Sequence, residues 1–150
     1  MTLDNLVGRG LEKAAPGREE LARYLERIRR KLADSRQGSI SLDSRFDLAF
    51  EALLQIALAA LRANGYRTTS AAGHQQLSIQ ALPKTLGVDP TRVRALEEFR
   101  KKRSAGLYLA EFEPSAAEVD ALVQAVERLQ KDFAAWLKAK RPDLAPRAGR

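Results

Sequence analysis

The residues whose types and spacing best suit chemistry lie in one run, Phe99-Arg100-Lys101-Lys102-Arg103-Ser104-Ala105-Gly106-Leu107-Tyr108. Arg103 offers a planar, multidonor guanidinium that suits a phosphate, and Tyr108 offers a ring for stacking and a hydroxyl for hydrogen bonding. Five residues separate them, about 7.5 Å along an ideal helix axis and about 140° around it, so facing side chains require favourable rotamers or a local bend. Arg100, Lys101, Lys102 and Arg103 together could contact phosphate oxygens, the sequence-independent part of nucleic-acid binding. The competing reading of the same residues is an Arg–acid surface pair and a half-buried tyrosine that locks its helix to the core.

Other chemistries fail at the level of residue type. His74 is the one ordinary near-neutral acid–base candidate, three residues before Leu77 and four before Ser78, where it could approach the packed side of a short helix. A catalytic or metal role would need a partner that no spacing supplies. Gly8 and Gly10 resemble a phosphate loop only superficially, since no apolar strand leads into them and the lysine–hydroxyl pattern is missing. Glu97 and Glu98 are adjacent and do not face one another on a helix, and Glu111 and Glu113 flank Phe112 near a loop as solvated carboxylates.

Composition sets the frame for these residues. The chain has 150 residues, 45% hydrophobic and 30% charged, a length at which one domain is the default. It contains no cysteine, which excludes a disulfide framework, a thiol nucleophile and thiolate-rich zinc sites. A single histidine excludes intrachain metal sites built on two, so the sequence implies neither a metal nor a cofactor. The start, Met1-Thr2-Leu3-Asp4, lacks a basic region followed by an apolar core, and no apolar run approaches the roughly 20 residues that span a bilayer. These features predict a soluble, cytoplasmic protein without a membrane partner. The net charge of +7 fits either a solvated surface or long-range attraction of a polyanion or an acidic partner.

The elements that must position the basic run read as helices. Gly and Pro fall at the edges of long segments whose apolar residues recur every three or four positions. Leu3, Leu6, Val7 and Leu11 predict a short N-terminal helix over 3–14, ended by Ala15-Pro16-Gly17. Leu21, Leu25, Ile28 and Leu32 predict a helix from Arg18 to about Ser35. From Leu42 to Asn64, the stripe Phe46, Ala49, Leu53, Ile56, Ala60 and Ala63 is widened by Phe50, Leu54, Ala57 and Leu61, so this helix should be the most buried. A shorter helix from about Ser70 to Leu82 should end or bend at Pro83. Asp89-Pro90 starts the next one, which carries Val93, Leu96 and Phe99 and could reach Tyr108, although Gly106 weakens its last turn. Ser115 and Glu118 have capping-box spacing, and Val119, Leu122, Val126, Leu129, Phe133 and Trp136 form the last stripe. Pro142 ends it, and a mobile basic tail should follow from Arg141 to Arg150. No β-strand pattern is visible. The expected core includes Phe46, Leu53, Leu96, Phe99, Leu122, Leu129 and Phe133.

Taken in order, Ser44-Arg45-Phe46-Asp47-Leu48-Ala49-Phe50, Ala57 to Tyr66, Gly73-His74, Ala81-Leu82-Pro83 and Phe99-Arg100-Lys101-Lys102-Arg103 resemble the HEPN family, the higher eukaryotes and prokaryotes nucleotide-binding domain. The resemblance runs over roughly residues 18–140. It implies an all-α, antiparallel four-helix bundle, commonly a homodimer, with 1–17 as an N-terminal helical extension and 141–150 as a basic tail. Some members are metal-independent ribonucleases or toxins, and others are noncatalytic partner domains. The nuclease motif is an Arg, often followed by a polar residue, and then His after four to six intervening residues. Carried over, it places Arg103 and Ser104 in the catalytic positions and Tyr108 where the histidine would stand. Tyrosine has a reference pKa of about 10 against about 6.5 for histidine, so this substitution disfavours a neutral-pH general base. The resemblance therefore implies a noncatalytic or weakly active module binding RNA, a nucleotide or a nucleotidyltransferase-like antitoxin. Its alternatives are a toxin-type ribonuclease using Arg103 at a dimer cleft and a purely structural interaction module.

Overall fold

The computed structural model describes residues 2–69 and 73–147. Six helices make up most of it: α1 (Arg18–Ser35), α2 (Leu42–Ala63), α3 (His74–Gln80), α4 (Leu82–Thr85), α5 (Pro90–Ser104) and α6 (Ala116–Lys140). A two-stranded antiparallel ribbon pairs β1 (Leu11–Lys13) with β2 (Tyr66–Thr68), with Leu11 opposite Thr68. No described helix is long and apolar enough to cross a membrane.

Local chemistry sets the helix starts. The Ser41 hydroxyl accepts from the Ser44 amide at the start of α2, and the Asp89 carboxylate accepts from the Thr91 amide beside Pro90 at the start of α5. Ser115 and Glu118 form the expected reciprocal capping box at α6. Each cap satisfies amides that the first helical turn leaves without partners.

Helix α2 is the centre of the fold, lying against α1 and α6 and touching every other helix. Its buried face includes Phe46, Phe50, Leu53 and Ile56, interleaved with Ala49, Ala52, Ala57, Ala59 and Ala60. The alanines let neighbouring backbones approach closely while the large side chains fill the layers between them. Phe46, Leu53, Leu96, Leu122, Leu129 and Phe133 are buried as expected, whereas Phe99 is half-buried against the same core.

The N-terminal expectation fails. Residues 3–14 form only a short 3-10 helix over Leu3–Leu6 and then β1, not a helix through residue 14. Gly8 and Gly10 between them adopt φ of +83° and +114°, conformations a right-handed helix cannot contain. The ribbon also corrects the expectation of no strands: Leu11 is fully buried with Leu3, Leu61 and Ala81, and pairing with β2 satisfies its backbone.

Two further differences have clear causes. The helix breaks close to Pro83 as expected, but earlier than Leu82: α3 ends at Gln80, and Pro83 sits in the first turn of α4, where its missing amide costs no helical hydrogen bond. The expected start of α3 at Ser70 falls outside the described residues. Beyond α6 the chain is docked at least to Leu144, which is buried, correcting the expectation that Arg141 opens a mobile tail. The Arg141 guanidinium donates to the Ala63 carbonyl at 2.9 Å, and Arg18 Nε donates to the Asp143 carbonyl at 2.9 Å.

Arg62 ties the ribbon to the helices. Its side chain is 5% exposed and its fork engages both Glu20 oxygens, at 3.1 and 2.9 Å. The remaining donors reach the carbonyls of Ala14 (2.8 Å), Ala15 (3.1 Å) and Tyr66 (3.2 Å). A planar multidonor group can serve α1, β2 and the N-terminal segment at once, which a lysine ammonium could not.

Candidate docking site

Four cations end α5, and each faces a carboxylate. Arg100 grips Glu97 through Nε, 3.1 Å from both oxygens, and through a terminal nitrogen at 3.0 Å. Lys101 pairs with Glu98 at 3.3 Å, and Lys102 reaches across to Glu118 of α6 at 3.2 Å. Arg103 lies 3.6 Å from Asp47 of α2 and places its guanidinium 5.3 Å from the centre of the Phe50 ring. The sequence-expected phosphate contacts at Arg100, Lys101, Lys102 and Arg103 are thus already matched by negative charge. This shortens the reach of their field.

Arg103 differs from the other three. Its side chain is only 21% exposed, and its Nε is buried without a hydrogen-bond acceptor. Burial pushes the Asp47 carboxyl above its ordinary value, with Glu51 and Asp43 acting in the same direction and Arg103 opposing them.

The α geometry ends at Ser104, and a π-helical turn over Ala105–Leu109 carries the helix past Tyr108, as far as expected but with wider winding. The Ala110 amide donates to the Ala105 carbonyl across this wider turn, and Ala110 takes a left-handed φ of 53°, which stops the helix. Gly106 permits the fold-back: a Cβ there would stand 3.1 Å from the Phe112 carbonyl oxygen. The returning chain lays Phe112 edge-on against Phe46, centroids 5.1 Å apart, and buries Pro114. Tyr108 therefore swings away from the core, and the half-buried alternative for it fails as well.

The turn exposes three consecutive apolar residues. Leu107 is 59% exposed, Tyr108 78% and Leu109 63%, the most exposed large apolar residues among those described. Beside them opens a cleft of about 180 Å³ lined by Asp43, Phe46, Asp47, Arg103, Gly106, Leu107, Phe112 and Pro114. Its lining combines two aromatic rings, Phe46 and Phe112, with two carboxylates, Asp43 and Asp47, and the Arg103 guanidinium. Asp43 lines it, Glu111 and Glu113 flank Phe112, and none of these three carboxylates has an ion-pair partner among the described residues.

The structure brings Arg103 into the cleft but leaves Tyr108 outside its lining. Ser104 closes α5 and makes no side-chain cap. His74 is exposed as the first residue of α3, is not part of the cleft, and forms no side-chain hydrogen bond among the described residues. Sequence reasoning missed Asp43, Asp47, Leu107, Leu109, Phe112 and Pro114. One signal was present: Leu107, Tyr108 and Leu109 are consecutive large apolar residues whose side chains span about 200° of a helix, wider than a single core-facing stripe. Comparison with protein-family models, curated proteins and solved structures finds no significant match to the chain.

Proposed function

We propose that this chain is a noncatalytic docking module whose cleft receives a segment of a partner protein carrying an apolar anchor flanked by Lys or Arg. The observation that carries this is the exposed Leu107-Tyr108-Leu109 turn beside a cleft lined by Phe46, Phe112, Asp43 and Asp47. Exposed apolar side chains clustered at a concave site mark interaction surfaces, and aromatic anchors dominate their energetics. The unpaired carboxylates Asp43, Glu111 and Glu113 favour a cationic partner and disfavour a polyanion. The HEPN resemblance agrees with a partner-binding role, with α1, α2, α5 and α6 as the four helices of its antiparallel bundle and a nucleotidyltransferase-like protein as one partner class.

A second reading has one specific observation behind it. Arg103 Nε is buried without an acceptor beside Asp47, so an RNA phosphate that displaced that carboxylate would meet a guanidinium already in position. Arg103 would then hold the phosphate while Ser104 and Tyr108 oriented groups around it, as in a metal-independent ribonuclease.

The test compares a short labelled peptide of alternating Leu and Lys, its Leu/Glu counterpart and a single-stranded RNA. Each is titrated by fluorescence anisotropy into the wild type, Leu107→Ser/Leu109→Ser and Arg103→Ala, with RNA cleavage followed in chelator. Docking predicts saturable binding of the Leu/Lys peptide, weakened at least about 30-fold in the double serine variant, the loss expected for an interface hot spot of about 2 kcal/mol. RNA binding or cleavage abolished by Arg103→Ala would favour the second reading. Concentration-dependent sedimentation of the wild type, abolished in the double variant, would place a second copy of the chain on this face and contradict the proposal.

A further inference from the structure

A second feature lies along α1, α2 and β2. Two adjoining hollows of about 250 and 220 Å³ share Glu20 and Tyr24. Arg62 and Arg67 line the first, Arg23 and Arg27 the second, and Gln55 forms part of the second. Glu20 is taken up by Arg62, whose hydrogen bond holds its carboxyl below the usual carboxylate range. The charge that remains is cationic. Arg23 and Arg27, one helical turn apart, have no carboxylate partner among the described residues, and Arg67 has only the exposed Glu12 at 3.8 Å.

Two polar groups in the same hollows are also unengaged. The Tyr24 hydroxyl forms no hydrogen bond among the described residues; burial and the nearby Glu20 carboxylate push its pKa above the ordinary value, with Arg62, Arg27 and Arg67 opposing them. Gln55 Oε1 is buried and meets no protein donor. A buried acceptor without a donor is costly, so one in a hollow is a position where a ligand hydroxyl would be favoured.

We infer that this groove is a binding site for a phosphate monoester carried by a small hydroxylated molecule. Arg27 and Arg67, on opposite elements, grip the phosphoryl oxygens, with Arg23 adding charge from the rim. Guanidinium forks match such oxygens with parallel N–H donors, which favours a phosphoryl group over a monatomic anion. Tyr24 donates its hydroxyl to the same group, and Gln55 Oε1 accepts from a hydroxyl on the ligand. The site is distinct from the cleft at the end of α5, and neither depends on the other.

Isothermal titration tests it with inorganic phosphate, ribose 5-phosphate and a short single-stranded RNA, using the full chain and the variants Arg27→Ala, Arg67→Ala, Gln55→Leu and, as a remote surface control, Lys131→Ala. Circular dichroism verifies that each variant folds. Saturable binding of ribose 5-phosphate is expected, tighter than that of inorganic phosphate. It should weaken at least about tenfold in Arg27→Ala and in Arg67→Ala, the effect of losing a charge-assisted hydrogen bond of about 1.5 kcal/mol, and stay unchanged in Lys131→Ala. Gln55→Leu should erase the advantage of the sugar phosphate while leaving inorganic phosphate binding intact. Absence of saturable phosphate-monoester binding in the millimolar range, equal loss in Lys131→Ala, or binding of RNA alone through these arginines would overturn the assignment.

Discussion

Replacing Arg62 by methionine keeps most of the buried stem and removes the fork that joins α1, β2 and the N-terminal segment. Five hydrogen bonds disappear, two to Glu20 and three to the carbonyls of Ala14, Ala15 and Tyr66. Breaking one side of a buried ion pair costs about 3–5 kcal/mol. Here the Glu20 side chain is 30% exposed, so water can re-solvate its carboxylate and the loss should be nearer 2–4 kcal/mol. At roughly 2–4 °C per kcal/mol for a chain of this size, the melting temperature should fall by about 4–16 °C. Arg62→Lys should lose nearly as much, because it restores the charge without the fork.

The pH dependence provides a second readout. Arg62 holds the folded-state Glu20 pKa below its ordinary value of 4.5. The stability it contributes is present above that unfolded value and is lost as pH falls through the lower folded one. Urea unfolding followed by circular dichroism between neutral and acid pH should show this loss in the wild type and a smaller one in Arg62→Met. A variant within 1 kcal/mol of wild type, with the same acid profile, would refute the assignment of Arg62 as the clamp.

Three other outcomes follow from the geometry. Gly10→Ala should cost about 2 kcal/mol in chemical denaturation, because φ of +114° disfavours a side chain and the new Cβ would stand 2.6 Å from Leu77 Cδ2. Phe133→Ala should lose about 3–5 kcal/mol, since the ring is fully buried in the main core. Ser115→Ala should cost about 1 kcal/mol by opening the α6 capping box, a loss visible as a lower urea midpoint with an unchanged slope.

What the sequence revealed and what it concealed divide along the range of the interactions. The faces of α2, α5 and α6 were legible because periodicity is a local property, and Phe46, Leu53, Leu96 and Phe133 lie where their stripes put them. Leu3, Leu6, Val7 and Leu11 also match a helical stripe, yet Gly8 and Gly10 turn the chain and Leu11 is buried through a strand pairing that is distant in sequence. The same distinction governs the basic run. Glu97–Arg100 and Glu98–Lys101 are neighbours one helical turn apart and could be read directly. Lys102–Glu118 and Arg103–Asp47 arise only when α6 and α2 are folded against α5. Arg103 and Tyr108 do lie on one continuous helix, but its last turn widens to π geometry before the chain returns onto Phe112, and Arg103 lines the cleft while Tyr108 stays exposed.

The docking proposal is tested most directly by amide chemical-shift mapping with the Leu/Lys peptide on isotopically labelled protein. The account predicts saturable shifts confined to Asp43, Asp47, Gly106, Leu107, Tyr108, Leu109 and Phe112, weakened by salt and abolished in Leu107→Ser/Leu109→Ser. Shifts that spread over the cationic face of α1, or a cleft that stays silent while single-stranded RNA perturbs Arg100 to Arg103, would contradict it.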